Sequence, residues 1–114
     1  MSNNTEPLPW EISVQQTQQL LQSGEIVLID CRESAEYAVA KIDGAALVPM
    51  SEFGQRLDEI EMHRDKHIVV HCHHGGRSLQ VTQALRGRGF PKVQSMAGGI
   101  DLWSQEIDTQ VPRY

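Results

Sequence analysis

Residues 67–88 read HIVVHCHHGGRSLQVTQALRGR, and they contain a strand, a short loop and the start of a helix. The apolar run Ile68–Val70 is typical of a strand that is buried on both faces. It leads to Cys72 and then to the loop His73–Gly76, in which the two glycines allow a tight turn. A helix is predicted to follow over roughly residues 78–88. The sequence therefore places Cys72 where a strand passes through a loop into a helix.

The same alternation of apolar runs and helical stretches continues along the chain. Further strands are predicted at 26–29, 46–48 and 93–96, and helical stretches at 14–21, 33–40 and 51–60. The first helix is expected to be capped by Ser13 and to end at Gly24. Strands that alternate with helices pair in parallel, so the sequence predicts a three-layer α/β domain. In such sheets reactive residues lie at the carboxyl ends of the strands, so Asp30–Arg32 and His71–His74 are expected at one edge.

Length and composition limit the classes of protein to consider. The 114 residues are predicted to form one compact domain over 10–114, with 1–9 as a flexible lead-in. A net charge of −5 without a basic stripe argues against nucleic acid or an anionic membrane as a partner. Residues 1–10 lack the pattern of a signal peptide, and no stretch approaches the ~20 apolar residues of a membrane span. We therefore expect a soluble cytoplasmic protein whose two cysteines are reduced.

The loop after Cys72 is suited to holding an anion. Gly75 and Gly76 let successive backbone N–H groups face inward, and the following helix adds the positive end of its dipole. Arg77 contributes a fixed charge and a planar fork of donors that fits a sulfur or phosphorus oxyanion. These groups should lower the pKa of Cys72 and populate its nucleophilic thiolate. The sequence thus predicts a nucleophilic cysteine in an anion-binding loop.

Four motifs of the chain resemble the rhodanese family. The segment from Cys72 to Ser78 matches that family's pattern of Cys, two residues, Gly, one residue, Arg and Ser. The other three are Asp30-Cys31-Arg32-Glu33, Ile42-Asp43-Gly44-Ala45 leading to Pro49, and Ala97-Gly98-Gly99-Ile100 followed by Trp103. The resemblance covers about residues 12–107 and implies a central, mainly parallel five-stranded sheet flanked by helices on both faces. The chain departs from the family at Cys31, where an aliphatic residue is common, and at Lys41, where His is common.

The resemblance also implies a reaction, the transfer of sulfane sulfur through a persulfide on Cys72. Thiosulfate or another small anionic donor would load Cys72, and cyanide, a thiol or a protein dithiol would accept the sulfur. We expect no metal, no organic cofactor and a monomeric protein. Substrate binding is assigned to the loop and the start of the following helix, namely His73, His74, Gly75, Gly76, Arg77 and Ser78. Structural support is assigned to two residues that follow the predicted strand 26–29, Asp30 and Arg32.

Cysteine phosphatases and arsenate reductases share this fold by resemblance, and the length of the loop separates the two classes. Four residues lie between Cys72 and Arg77, one fewer than in those enzymes. The shorter loop makes a tighter pocket, which suits a single sulfur atom better than a tetrahedral phosphate. A thiosulfate sulfurtransferase is therefore the first hypothesis and a protein-to-protein persulfide carrier the second. A phosphatase or arsenate reductase, or a regulatory module without chemistry, is favoured less.

Several of these residues keep a second interpretation. Cys72 could be a buried structural thiol, Arg77 a surface arginine in the first helical turn, and Ser78 only a helix cap. Cys31 either fills the core as a small apolar residue or resolves the Cys72 persulfide, which requires its sulfur atom to be in reach. Asp30 is expected, with Arg32, to anchor the adjacent loop. Four apolar residues are expected in or at the edge of the core, namely Trp10, Leu102, Trp103 and Ile107.

The histidines of the chain are crowded near the loop and raise the question of a zinc or copper site. Their positions are 63, 67, 71, 73 and 74. Neighbouring residues of a strand point to opposite faces, and the spaced ligand pairs of a structural zinc site are absent, so the pattern argues against a metal. His73 and His74 are expected at the pocket mouth, where they either tune its charge or are simply solvated.

Overall fold

The computed structural model describes residues 7–114, which form a three-layer α/β architecture. The strands are β1 (Glu11–Ile12), β2 (Val27–Asp30), β3 (Ala45–Leu47), β4 (Ile68–His71) and β5 (Val93–Met96). Within the described residues they form one five-stranded sheet in the order β1-β5-β4-β2-β3, and every neighbouring pair is parallel. The central strand is β4, which pairs with β2 on one side and β5 on the other. The predicted parallel α/β sheet is confirmed.

The helices alternate with the strands along the chain. They are α1 (Val14–Ser23), α2 (Ser34–Val39), α3 (Leu57–Glu61), α4 (Gly76–Gly87) and α5 (Gly99–Glu106). The predicted caps of α1 are confirmed. The Gln16 N–H donates to Ser13 Oγ at 3.0 Å, and Gly24 takes a left-handed φ of 76° that lets its N–H reach carbonyls of the last turn. Over residues 7–114 no helix combines the length and apolarity that crossing a membrane requires.

The sheet is covered on both faces, and this explains why β4 reads as an unbroken apolar run. Val69 joins a core cluster with residues of α1 and α5, whereas Ile68 and Val70 join a second cluster with residues of α3 and α4. All of β4 is buried. Full burial of an aliphatic side chain contributes roughly 1.5–3 kcal/mol, so these three residues together stabilise the centre of the sheet strongly.

Three elements differ from the sequence-based predictions, and one of them is α5, where the sequence analysis predicts no helix. Strand β1 is not predicted by the sequence, because two residues form no apolar run. It is held by the Ser95 N–H, which donates to the Trp10 carbonyl at 2.8 Å, and by the Ala97 N–H, which donates to the Ile12 carbonyl at 2.9 Å. The helical stretch predicted at 51–60 is instead two short helices, a 3₁₀ helix at Met50–Glu52 and α3. Turns around Gly54 separate them, because glycine disfavours the interior of a helix.

Pro9 and Trp10, directly before β1, contact residues of α4 and β5. Of the predicted lead-in, residues 1–6 lie outside the described residues. The Pro9 carbonyl accepts hydrogen bonds from Arg86 Nη2 at 2.8 Å and from Gln94 Nε2 at 3.0 Å. Trp10, expected in or at the edge of the core, is 48% exposed and lies against the Arg86 guanidinium, 4.1 Å from its ring centroid. The other three expected core residues are buried or partly buried against the first cluster, namely Leu102, Trp103 and Ile107.

Candidate active site

Cys72 lies at the sheet edge where β2 and β4 both end. Asp30 pairs in register with His71, and the Cys31 N–H continues the ladder by donating to the His71 carbonyl at 3.0 Å. The loop between β4 and α4 then turns back over this edge. The expectation that the segments Asp30–Arg32 and His71–His74 meet here is confirmed.

The sulfur atom of Cys72 is surrounded by hydrogen-bond donors of the loop and of α4. The Gly75 N–H donates to Sγ at 3.1 Å and the Ser78 N–H donates at 3.4 Å. The Ser78 hydroxyl lies 3.4 Å from Sγ and is itself 2.7 Å from the Ser95 hydroxyl on β5. Cys72 is only 1% exposed, so these donors act in a site from which water is largely excluded. Together these groups can stabilise a negative charge on the Cys72 sulfur.

The start of α5 fixes the backbone of the loop between β4 and α4, here called the reactive loop. The Ile100 N–H donates to the Cys72 carbonyl at 2.9 Å, and the Asp101 N–H donates to the His73 carbonyl at 3.1 Å. Gly99 has φ +61°, and a Cβ there would overlap these two carbonyl groups. With the carbonyls turned toward α5, the N–H groups of the loop face the sulfur. The Ala97–Ile100 motif therefore acts through the backbone of the loop.

The surroundings of Cys72 favour its thiolate. The pKa of Cys72 is lowered, first by a hydrogen bond from the Cys31 thiol and then by the Ser78 hydroxyl and the N–H groups of Ser78 and Gly75, while burial opposes the shift. The pKa of Cys31 is raised by the same contact with Cys72 and by burial, so Cys31 keeps its proton. The two shifts favour the thiolate on Cys72 and the thiol on Cys31. Such a thiolate is a strong nucleophile near neutral pH.

Arg77 lies in the first turn of α4, and its side chain is held by a carboxylate of α2. Its Nη1 and Nη2 atoms donate to the two carboxylate oxygens of Glu36 at 2.7 and 2.9 Å. The Tyr114 hydroxyl donates to the same carboxylate at 2.8 Å and accepts from Arg32 Nη1 at 2.9 Å. Arg77 and Tyr114 hold the pKa of Glu36 at about 2, Arg77 having the larger effect, so this carboxylate is charged at neutral pH. The role of Arg77 in substrate binding stays a prediction.

Asp30 and Arg32 form a buried ion pair beneath the site. Arg32 Nη2 donates to an Asp30 oxygen at 2.6 Å, Nε donates to the other at 2.9 Å, and neither side chain is exposed. Arg32 Nη2 also donates to the Ala40 carbonyl at 2.7 Å, which ties the end of α2 to β2. His71, 3.8 Å from Asp30, is fully buried, and burial lowers its pKa, so its ring stays neutral. These contacts anchor the backbone around the reactive loop.

The histidines do not form one cluster. His73 and His74 stack at 4.0 Å between ring centroids, while His71 faces Asp30 and His67 lies at the opposite end of β4. Among residues 7–114, the three groups that come close enough to share an ion are His73, His74 and Asp101, whose ligand atoms lie within 4.8 Å of one another. The His74 side chain is 68% exposed and therefore lies at the rim of the loop.

Three residues around the site were missed by sequence reasoning: Glu36, Ser95 and Tyr114. Ser95 is fully buried at the end of β5 and supports the Ser78 hydroxyl. A serine inside a predicted strand is the one signal that could have pointed to it. Glu36 could be recognised only as a capping-box residue, which it also is, since its side chain accepts from the Glu33 N–H at 3.1 Å. Tyr114 stacks on His73 at 4.1 Å, a contact without a local sequence signal.

Comparison with known proteins identifies relatives of the same architecture. A family model described as the rhodanese-like domain matches residues 13–106. The thiosulfate sulfurtransferase GlpE of Glaesserella parasuis serovar 5 is 32% identical over 93 residues, which are 82% of this chain and 84% of that protein. The human single-domain sulfurtransferase TSTD1 has a solved structure with a TM-score of 0.77 and 27% identity, covering 86% of this chain and 97% of that one.

Other relatives are longer proteins that contain a similar segment. The chloroplastic rhodanese-like/PpiC domain-containing protein 12 of Arabidopsis thaliana is 36% identical over 92 residues. Those residues are 79% of this chain but only 31% of that protein, so the chain spans less than a third of this relative. Because the family model covers most of the chain, and because GlpE is matched over most of its own length, the chain belongs to the rhodanese-like domain family.

Proposed function

We propose that this protein is a sulfurtransferase that takes sulfane sulfur from thiosulfate, or a related small anion, and passes it to a nucleophilic acceptor through a Cys72 persulfide. The observation that carries the proposal is the position of the Cys72 sulfur against the N–H groups of Gly75 and Ser78 in a four-residue loop. The names of GlpE and TSTD1 support the general reaction, and the name of GlpE supports thiosulfate as the donor.

The first half of the reaction loads the cysteine. The Cys72 thiolate attacks the outer sulfur of thiosulfate, a bond forms between the two sulfur atoms, and the bond to the sulfonate breaks to release sulfite. The persulfide that remains carries one negative charge, as the thiolate did. The N–H groups of Gly75 and Ser78 face Sγ, the sulfur atom next to the one that carries this charge.

The second half of the reaction restores the thiolate. Cyanide, a small thiol or one sulfur of a protein dithiol attacks the outer sulfur of the persulfide, and Cys72 leaves as the thiolate. The same donors that favour a low pKa for Cys72 make it a good leaving group in this step. No metal takes part in either half.

Arg77 supplies the positive charge for a dianionic donor in this proposal. Its guanidinium is fixed by Glu36 rather than aimed at the sulfur, so it acts by its charge near the loop. The pKa of Arg77 is raised first by its hydrogen bonds to Glu36, and the charge of Cys72 contributes to the shift as well. An Arg77→Ala variant is expected to use thiosulfate less well while remaining folded.

The length of the loop favours sulfur over phosphate as the transferred group. The donors that surround Cys72 lie at 3.1–3.4 Å from Sγ, close to the cysteine itself. A phosphate ester would need several donors spread around a tetrahedral group. We therefore rank a phosphatase or arsenate reductase activity below sulfur transfer.

Intact mass spectrometry before and after addition of thiosulfate tests the proposal. The protein should gain one sulfur, about 32 Da, and cyanide should remove it and release thiocyanate. A Cys72→Ala variant should gain nothing under the same conditions. Sulfur loading that persists in Cys72→Ala would disprove the assignment of the nucleophile, and a failure of the unmodified protein to release sulfite from thiosulfate would disprove thiosulfate as donor.

A further inference from the structure

The only two cysteines of the sequence lie beside each other at the ends of β2 and β4. Cys31 is fully buried, Cys72 is 1% exposed, and both side chains belong to the core cluster on the α4 face of the sheet. Cys31 is the first cause of the lowered pKa of Cys72. The transfer of sulfur from thiosulfate to an acceptor does not use this second thiol.

The backbone geometry allows the two sulfur atoms to be joined. The Cys31 N–H donates to the His71 carbonyl at 3.0 Å, so Cys31 and Cys72 follow paired residues of neighbouring parallel strands. Neighbouring strands are about 4.8 Å apart, within the range of roughly 4.4–6.8 Å between the Cα atoms of a disulfide. Because both side chains already face the same side of the sheet, a disulfide requires little movement of either strand.

We infer that Cys31 is a resolving thiol, which attacks Sγ of the Cys72 persulfide and releases the outer sulfur as hydrosulfide. A bond forms between the two cysteine sulfurs, and the bond between Cys72 Sγ and the outer sulfur breaks. The proton of Cys31 leaves with the outer sulfur as HS⁻. Each cysteine sulfur is oxidised by one electron and the sulfane sulfur is reduced by two, so no outside oxidant is needed. This step rests on the proposed function, because it begins from the persulfide.

The position of Cys31 suits this step. In the resting site the charge on Cys72 holds the proton on Cys31. Once sulfur is bound, the negative charge moves to the outer sulfur, and transfer of the proton from Cys31 to that sulfur gives a thiolate and a neutral perthiol. These two species react readily with each other.

The Cys72 persulfide then has two possible fates, which depend on the acceptor. When a nucleophilic acceptor is present, it takes the outer sulfur and no disulfide forms. When it is absent, the site releases hydrosulfide and stops as a Cys31–Cys72 disulfide, and a dithiol reductant returns both thiols. The partner that this outcome requires is therefore a dithiol, small or carried by a protein.

The experiment compares the unmodified protein with Cys31→Ser after loading with thiosulfate and removal of the excess. Serine keeps a hydrogen-bond donor at the position but cannot form a disulfide, which makes it a matched control. Both proteins should gain about 32 Da. The unmodified protein should then fall to about 2 Da below its reduced mass, with one sulfide released per chain, while Cys31→Ser should keep its added sulfur. Dithiothreitol should return the unmodified protein to its reduced mass.

Peptide mapping under non-reducing conditions gives a second measurement on the unmodified protein, which should contain a linked pair of peptides that carry Cys31 and Cys72. Circular dichroism checks that Cys31→Ser is folded, and Cys31→Ala takes its place if it is not. A persulfide that is as stable in the unmodified protein as in the variant, without the linked peptides, would overturn the inference and leave the proposed function standing. If neither protein gains sulfur, the proposed function fails, and the inference fails with it.

Discussion

Replacing Ser78 with alanine removes one donor from the Cys72 sulfur and leaves the others in place. The Ser78 hydroxyl lies 3.4 Å from Sγ, while the N–H groups of Gly75 and Ser78, which the substitution keeps, lie at 3.1 and 3.4 Å. A hydrogen bond to a charged group contributes about 1.5–3 kcal/mol, and about 1.4 kcal/mol corresponds to one pKa unit. Because the hydroxyl is shared with the Gly75 carbonyl at 3.2 Å and with Ser95 at 2.7 Å, the lower end applies. The pKa of Cys72 should rise by about one unit.

The pH dependence of alkylation by iodoacetamide measures this shift, with the Cys72 peptide followed by mass spectrometry. Only the thiolate reacts, so in the unmodified protein the rate should be half-maximal at a pH below about 8.5, the value of a free thiol. Loss of a donor to the charged form raises the pKa, so Ser78→Ala should react about tenfold more slowly on the acid side of the curve. The rates at high pH should converge.

Thr82→Val is a matched control on the same helix. Thr82 is as fully buried as Ser78, and its hydroxyl has no hydrogen-bond partner among residues 7–114. The substitution removes a buried hydroxyl without changing the surroundings of Cys72, so the alkylation curve should not move. An unchanged midpoint in Ser78→Ala, or an equal shift in both variants, would refute the assignment of the Ser78 hydroxyl as a donor to the thiolate.

Three further substitutions test other parts of the structure. Gly99→Ala should lower the free energy of unfolding by about 1–3 kcal/mol in calorimetry, because a Cβ overlaps the carbonyls of the reactive loop; full stability would contradict this account of the loop. Asp30→Asn leaves the buried charge of Arg32 without its counter-ion and should cost about 3–5 kcal/mol in urea unfolding, whereas a loss below 1 kcal/mol would mean that the pair contributes about as little as an exposed one. Glu36→Gln removes the negative charge that neutralises Arg77 and should lower the KM for thiosulfate by about fivefold; a higher KM would argue against Arg77 as the group that attracts the donor.

Much of the fold could be predicted because the decisive signals are local. The run Ile68–Val70 is apolar at every position, as a strand covered on both faces requires. Ser13 and Gly24 mark the ends of α1 by the chemistry of their own caps. Strand β1 was missed for the opposite reason, since its two residues are held by hydrogen bonds to β5 rather than by a pattern of their own. Local preferences cannot indicate an element that exists only through its neighbour.

The candidate site likewise combines residues that the sequence predicts with residues that it does not. The loop from Cys72 to Ser78 carries its function in consecutive residues, so its glycines and helix start could be interpreted from the sequence. The groups that surround the loop come from distant parts of the chain. Glu36 meets Arg77 across 41 positions, and Tyr114 meets Glu36 across 78, so neither contact leaves a pattern that a single sequence displays. Such contacts depend on the relative placement of helices and on the path of the chain after α5.

The central position of β4 determines how the site responds to partial unfolding. Opening events of low free energy begin at sheet edges and chain ends, here at β1 and β3, whereas a central strand exchanges its amide hydrogens mainly through opening of the whole domain. Cys72 follows β4 directly, and its carbonyl is fixed by the first turn of α5. The donors around the sulfur therefore stay in place while the edges of the sheet fray, and the reactive geometry disappears in the same cooperative transition as the fold itself.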